Sequence, residues 1–195
     1  MVEIYLDNAA TTFLDPRVAE AMASFHSTSP GNASSVHSAG LRAAMAVEKA
    51  RGVIANAVGA LSDEVIFCSG GTEANNLALQ GLALRIAPGG HFIVSAVEHS
   101  SILDQLPTLE ARGVRVSLAP VDREGRVNLT ALEKLFTPET KLVSVMHANN
   151  EIGTVQPIEE IAAICRKFGV LFHMDAVQSF GKILIRARSE EHTSE

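Results

Sequence analysis

From Asp15 onward the apolar positions of this chain alternate between a helical and a strand period. Asp15-Pro16 has the form of a helix start, Asp as N-cap and Pro at the first helical position, and the pattern runs to about Phe25. Ser27 to Ser35 (STSPGNASS) is a polar loop, and an Ala-rich helix from about Ser38 to Val58 follows. Then come a strand-like VIFCS at Val65 to Ser69, a helix from Thr72 to Ile86 and a strand FIVSAV at Phe92 to Val97. A helix from Ser100 to Ala111 leads to strand VRVSLA, helix Leu129 to Phe136, strand KLVSVM, helix Ile158 to Phe168 and strand VLFHM. The strand segments are continuous apolar runs, which predicts burial on both faces. Strand and helix alternating this regularly predicts right-handed βαβ units. The expected fold class is α/β: three layers, a mostly parallel sheet flanked by helices. No internal repeat, low-complexity segment or interdomain linker interrupts the series.

Composition narrows the picture. The 195 residues are 47% hydrophobic and 19% charged, as in one soluble globular domain or part of a larger one. A chain of this length can bury roughly 70% of its unfolded surface. The formal charge is −6 and the 16 Lys and Arg residues are scattered, so no basic stripe points to nucleic acid. No apolar run approaches the ~20 residues of a membrane span, and the N-terminus lacks the basic and apolar regions of a secretory signal. Two cysteines, Cys68 and Cys165, make no disulfide framework, which favours a reducing, cytoplasmic setting.

Candidate chemistry gathers where strands end. In an open α/β sheet, ligands sit outside the carboxyl ends of the strands. The segment Val145 to Gln178 sets Asn149 and Asn150 after one strand and Asp175 and Gln178 after the next. A carboxylate there can hold a protonated ring nitrogen while amides grip ring substituents, the polar inventory a pyridine cofactor needs. Equally, an Asn can satisfy turn backbone and Asp175 can be a helix N-cap. Ser69-Gly70-Gly71-Thr72-Glu73 joins a strand to a helix and reads either as a phosphate cradle or as an ordinary βα turn. His99 follows strand FIVSAV; it can lie flat on a ring and exchange protons, or simply start a helix beside a Ser cap. His173, inside a strand, reads as a satisfied sheet histidine, and both cysteines read as small core hydrophobes. His91, His99, His147, His173 and Asp175 show no HxH, HExxH or CxxC spacing, so no metal site is expected.

With these residues in hand, the chain resembles the cysteine desulfurases, within the class V aminotransferase-like, fold-type I pyridoxal-phosphate enzymes. The resemblance rests on YLDNAATT at Tyr5 to Thr12, GNASSVHSAG at Gly31 to Gly40, FCSGGTEANN at Phe67 to Asn76 and EHSS at Glu98 to Ser101. It continues through HANNEIGTVQPI at His147 to Ile158 and HMDAVQSFGK at His173 to Lys182, nearly unbroken from Tyr5 to about Ile185. It implies pyridoxal 5′-phosphate as cofactor and conversion of L-cysteine to L-alanine, with the sulfur left as a persulfide for Fe-S cluster or thio-cofactor assembly. Gly71 and Thr72 would bind the cofactor phosphate. His99 would stack on the ring and take part in proton transfer. Asp175 would pair with the ring nitrogen, Gln178 would bond the phenolic oxygen, and Asn150 would sit beside that oxygen and the substrate carboxylate. A homodimer and a sulfur-acceptor partner such as an Fe-S scaffold are also implied. Selenocysteine lyase, or another class V lyase or transaminase, is the alternative within the same class.

Departures from the family pattern carry their own expectation. Cys68 and Ala33 stand where the family usually has Thr and Pro. The family's Schiff-base Lys, substrate-binding Arg and catalytic Cys have no counterpart here; Lys182 belongs to a Gly-Lys turn instead. The last eight residues, RSEEHTSE at Arg188 to Glu195, are the in-frame translation of AGATCGGAAGAGCACACGTCTGAA, a common sequencing-adapter sequence. A polar disordered tail would have a similar composition. The domain expectation is therefore residues 1–15 as a segment of a small domain or its junction, 16–187 as an incomplete cofactor-binding large domain, and 188–195 as adapter artefact. The chain is expected to be a truncated, inactive gene-model fragment of such an enzyme.

Overall fold

The computed structural model describes residues 4–187, so the adapter-like segment lies outside the described residues. The chain divides into two compact units, Met1–Phe67 with Ile183–Glu195, and Cys68–Lys182.

The first unit is built on helices α1 (Pro16–Ser27) and α2 (Ser38–Val58) and a 3-10 turn at Ser62–Glu64. Asp15 caps α1 by accepting from the Arg17 N–H. His37 caps α2, its Nδ1 accepting from the Gly40 N–H at 3.3 Å. Helix α2 ends at Gly59, whose φ of 67° is the left-handed closing conformation that glycine adopts most readily. Little of this unit is buried: α1 buries no residue and α2 only Gly40 and Ala55.

The second unit contains α3 (Gly71–Ile86), β1 (His91–Ser95), α4 (Ser100–Leu103), α5 (Leu106–Ala111), β2 (Arg115–Ala119), α6 (Leu129–Lys134), β3 (Thr140–Met146), α7 (Ile158–Phe168) and β4 (Leu171–Asp175). The strands pair in parallel in the order β2-β1-β3-β4. Strand alternation sorts their side chains onto two faces. Phe92 and Val94 pack with Leu79 and Ala83 of α3, Ile102 of α4 and Leu109 of α5. Ile93, Val143 and Val145 pack with Leu132 of α6 and with Ile161 and Cys165 of α7. Each of the fully buried Val, Leu, Ile and Phe side chains contributes about 1.5–3 kcal/mol of transfer free energy. The result is the expected three-layer α/β arrangement. Helix α7 shows how local signals set its limits: Glu159 and Glu160 lie in its first turn, Arg166 and Lys167 in its last, and Gly169 closes it at φ 64°.

Three sequence expectations change. Val65–Ser69 forms no strand, and Ile66 and Phe67 are exposed, because a short apolar run specifies neither burial nor a ladder by itself; Cys68 is therefore not a strand residue. The expected helix Ser100–Ala111 is two short ones, with Pro107, which has no N–H to continue α4, in the first turn of α5. Burial on both faces holds for β1 and nearly all of β3, but Leu118 in β2 and Leu171 in β4 are exposed, since those strands form the sheet edges.

Candidate active site

Strands β1 and β3 are neighbours whose onward crossovers diverge, through α4 and α5 to β2 on one side and through α7 to β4 on the other. Divergence of this kind opens a crevice at the carboxyl ends of the strands. His99 follows β1, Asn149 and Asn150 follow β3, and Asp175 closes β4. Parallel pairing places Met146 opposite Asp175.

Asp175 is 7% exposed, yet no ion pair is made to it among the described residues. Its Oδ2 accepts from Asn75 Nδ2 at 2.8 Å and its Oδ1 from the Val177 N–H at 2.9 Å. A buried acid held by neutral donors alone has room for a cationic partner. Glu98, 6% exposed, accepts from the Met146 N–H at 2.6 Å and leaves Oε2 without a partner. Burial pushes its acid up to about 8; the Met146 bond opposes this, and the negative charge of Asp175 adds to it. At neutral pH Glu98 is mostly the uncharged acid, so it does not place a second full charge beside Asp175. His147 is also buried, with Nδ1 unpartnered and burial holding it below the ordinary imidazole range.

His99 is exposed and caps α4. Its Nδ1 faces the Ser101 N–H at 3.1 Å and Ser101 Oγ at 2.9 Å. Ser101 Oγ in turn accepts from Asn75 Nδ2 at 3.0 Å. Asp175 and His99, on different strand ends, are thus joined through Asn75 and Ser101. Reading the sequence missed both connecting residues and Glu98. A signal for Asn75 exists: it precedes Leu79 and Ala83 at four-residue steps on the buried stripe of α3, where an amide needs a polar partner.

Gly71 and Thr72 occupy the first turn of α3. The amides of Gly71 and Thr72 find no acceptor among the described residues, while Glu73 takes the Ser69 N–H and hydroxyl at 2.6 and 2.7 Å. Those bonds hold the Glu73 acid below its ordinary range. A Cβ on Gly71 would lie 2.7 Å from Val177 Cγ2. Glycine is what lets the segment carrying Asp175 and Gln178 close against the start of α3.

The remaining candidates divide between local and bridging roles. Asn149 ties strand ends together, donating to Val97 O at 2.9 Å and accepting from the Glu151 and Ile152 N–H groups. Asn150 is half-buried and donates to its neighbour Glu151. Gln178 is half-buried in the turn after β4. His173 shares a hydrogen bond of 2.9 Å with Ser144 Oγ across β3 and β4, and burial lowers its pKa. His91 is buried between Thr140 and Ser117 hydroxyls. Burial pushes the Cys165 thiol up to about 12, far from thiolate chemistry.

Comparison with known proteins adds a family, a curated relative and two solved structures. The family model described as Aminotransferase class-V matches residues 4–189. Cysteine desulfurase IscS of Dictyoglomus turgidum is 48% identical over 182 residues, covering 93% of this chain and 46% of the relative. Among solved structures, one described as SspA in complex with cysteine is 38% identical with a TM-score of 0.90, covering 93% of this chain and 53% of that one. A NifS-like protein is 39% identical with a TM-score of 0.91, covering 95% and 52%. The chain spans about half the length of the curated relatives it matches.

Proposed function

The chain belongs to the aminotransferase class-V family, and from that premise we propose that it is part of a pyridoxal 5′-phosphate-dependent cysteine desulfurase, carrying the ring- and phosphate-binding side of the site. The observation that carries the reading is Asp175: a buried acid with neutral donors and no ion pair among the described residues, at the carboxyl ends of the strands, where His99 follows β1 and Gly71 and Thr72 open α3. The residues fit the group. Asp175 would hold its ring nitrogen, His99 would face the ring, and the first-turn amides of α3, with the Thr72 hydroxyl, would bind its phosphate. Gln178 and Asn150 would offer amide donors to the phenolic oxygen. When bound, the cofactor supplies an electron sink for chemistry at the α-carbon of an amino acid. Around it, uncharged Glu98 braces the end of β3 through the Met146 N–H, and Gly71 keeps the Asp175–Gln178 segment tight against α3.

The substrate is L-cysteine, whose sulfur leaves on a protein thiol. Neither Cys68 nor Cys165 fills that role: Cys165 is buried and held as the thiol, and Cys68 does not match the family's catalytic position. No lysine of these 195 residues matches the family's cofactor-bearing lysine either. The whole enzyme is cytoplasmic and homodimeric and passes sulfur to an acceptor such as an Fe-S scaffold. No helix among the described residues is long and apolar enough to cross a membrane.

Equilibrium dialysis tests the site directly. Pyridoxal 5′-phosphate is expected to bind the chain better than pyridoxal, and Asp175→Ala to weaken binding at least about tenfold, the worth of one charged hydrogen bond. No preference for the phosphate ester, or full binding by the variant, would sink the reading.

A further inference from the structure

We propose that Asn75 and Ser101 are positioning residues that join Asp175 to His99 and hold the neutral His99 imidazole in the tautomer with its proton on Nε2. The inference rests on the reading of the site above. It follows from which groups can only donate. The Ser101 N–H has no lone pair to offer, and it lies 3.1 Å from His99 Nδ1, so Nδ1 is an acceptor there. The orientation of Asn75 is set in the same way. A carboxylate oxygen of Asp175 accepts, so the Asn75 atom facing it at 2.8 Å is the amide nitrogen. The second hydrogen of that nitrogen goes to Ser101 Oγ at 3.0 Å. With its oxygen accepting from Asn75, the Ser101 hydroxyl turns its own hydrogen to His99 Nδ1 at 2.9 Å. Asn75 and Ser101 are both buried, so water does not compete for these bonds.

The consequence concerns which edge of the ring works. The nitrogen outside the cap, Nε2, already carries hydrogen and enters the site as a donor. A hydrogen on Nδ1 would displace both the Ser101 N–H and the Ser101 hydroxyl hydrogen, which share its one lone pair. Any change of charge at Asp175 reaches His99 through two intervening side chains. His37 supplies an internal control: its Nδ1 also caps a helix, accepting from the Gly40 N–H, and among the described residues no bond from its ring to a serine hydroxyl accompanies that cap.

The test is a long-range proton–nitrogen NMR spectrum of the 195-residue chain with ¹⁵N-labelled histidine, without cofactor, His99 being assigned from its loss in His99→Gln. An acceptor-type Nδ1 and a proton-bearing Nε2 are expected. Asp175→Asn should move the His99 Nδ1 resonance and leave His37 in place. In an Asn75→Ala or a Ser101→Ala background that movement should fall at least about threefold, as a double-mutant cycle reads coupling. The two backgrounds cut the path at different points, so one suffices if the other does not fold. A proton on Nδ1, or an undiminished response in a folded background variant, would overturn the proposal. Dialysis with pyridoxal 5′-phosphate reports separately: coupling present without cofactor binding removes the proposed function and keeps the relay.

Discussion

The two units of the chain treat their apolar residues in opposite ways. In Cys68–Lys182, β1 buries every residue, and Phe92, Leu79, Ile93 and Ile102 are closed off from solvent between sheet and helices. In the other unit α1 carries Val18, Met22 and Phe25 at helical spacing, all exposed, and Phe13 just before it is 85% exposed. Both segments have the hydrophobic period of their element. The difference shows that periodicity specifies a face and says nothing of what covers it. It also explains where precise polar geometry is found. Asn75, Ser101, Glu98 and Asp175 are held within the packed unit, where neighbours leave few alternative rotamers.

The contrast is easiest to break with truncations. Phe92→Ala should cost about 3–5 kcal/mol in urea denaturation, the range for emptying a core aromatic site, while Phe25→Ala should stay within about 0.5 kcal/mol. Similar losses at the two positions would remove the distinction between the units.

A smaller effect belongs to Glu98, the packed unit's buried acid. Its folded pKa of about 8 lies above the unfolded 4.5, so the folded state binds the proton more tightly. Its contribution is therefore complete below about pH 4.5 and is lost as pH rises to about 8, on the order of 5 kcal/mol in all. Denaturation midpoints from pH 5 to 9 should show this decline in the parent chain and a shallower one in Glu98→Gln. Parallel profiles would mean that Glu98 titrates normally.

The smallest expected change lies at a surface cap of the same unit. Asn128 accepts from the Ala131 N–H at the start of α6, and Asn128→Ala should cost about 1 kcal/mol in the same assay. A loss matching that at Phe92 would show that caps and core count alike here, against the comparison.

Much of both units was legible in the sequence. Helices α2 and α7 have the expected limits, because caps, closing glycines and apolar stripes are local signals. Strands β1 to β4 were legible as apolar runs, and the same rule misread Val65–Ser69. Candidate site residues were legible as polar positions just past strand ends, since a carboxyl edge is where a parallel sheet leaves its polar groups. Asn75 and Ser101 were not, because nothing in a linear pattern tells that an amide on α3 meets a hydroxyl 26 residues away and a carboxyl 100 residues away.

The sequence by itself therefore determined the alternation of elements, the identity of the strand-end groups and the glycine at the start of α3. Each depends on backbone propensity or on a period of a few residues. Only the tertiary structure decided that Asp175 is buried with no ion pair among the described residues, that burial raises the Glu98 acid, and that His99 is tied to Asp175 through two buried side chains. Those properties come from desolvation and from donors converging across distant segments, and neither exists until the sheet has brought its strand ends together.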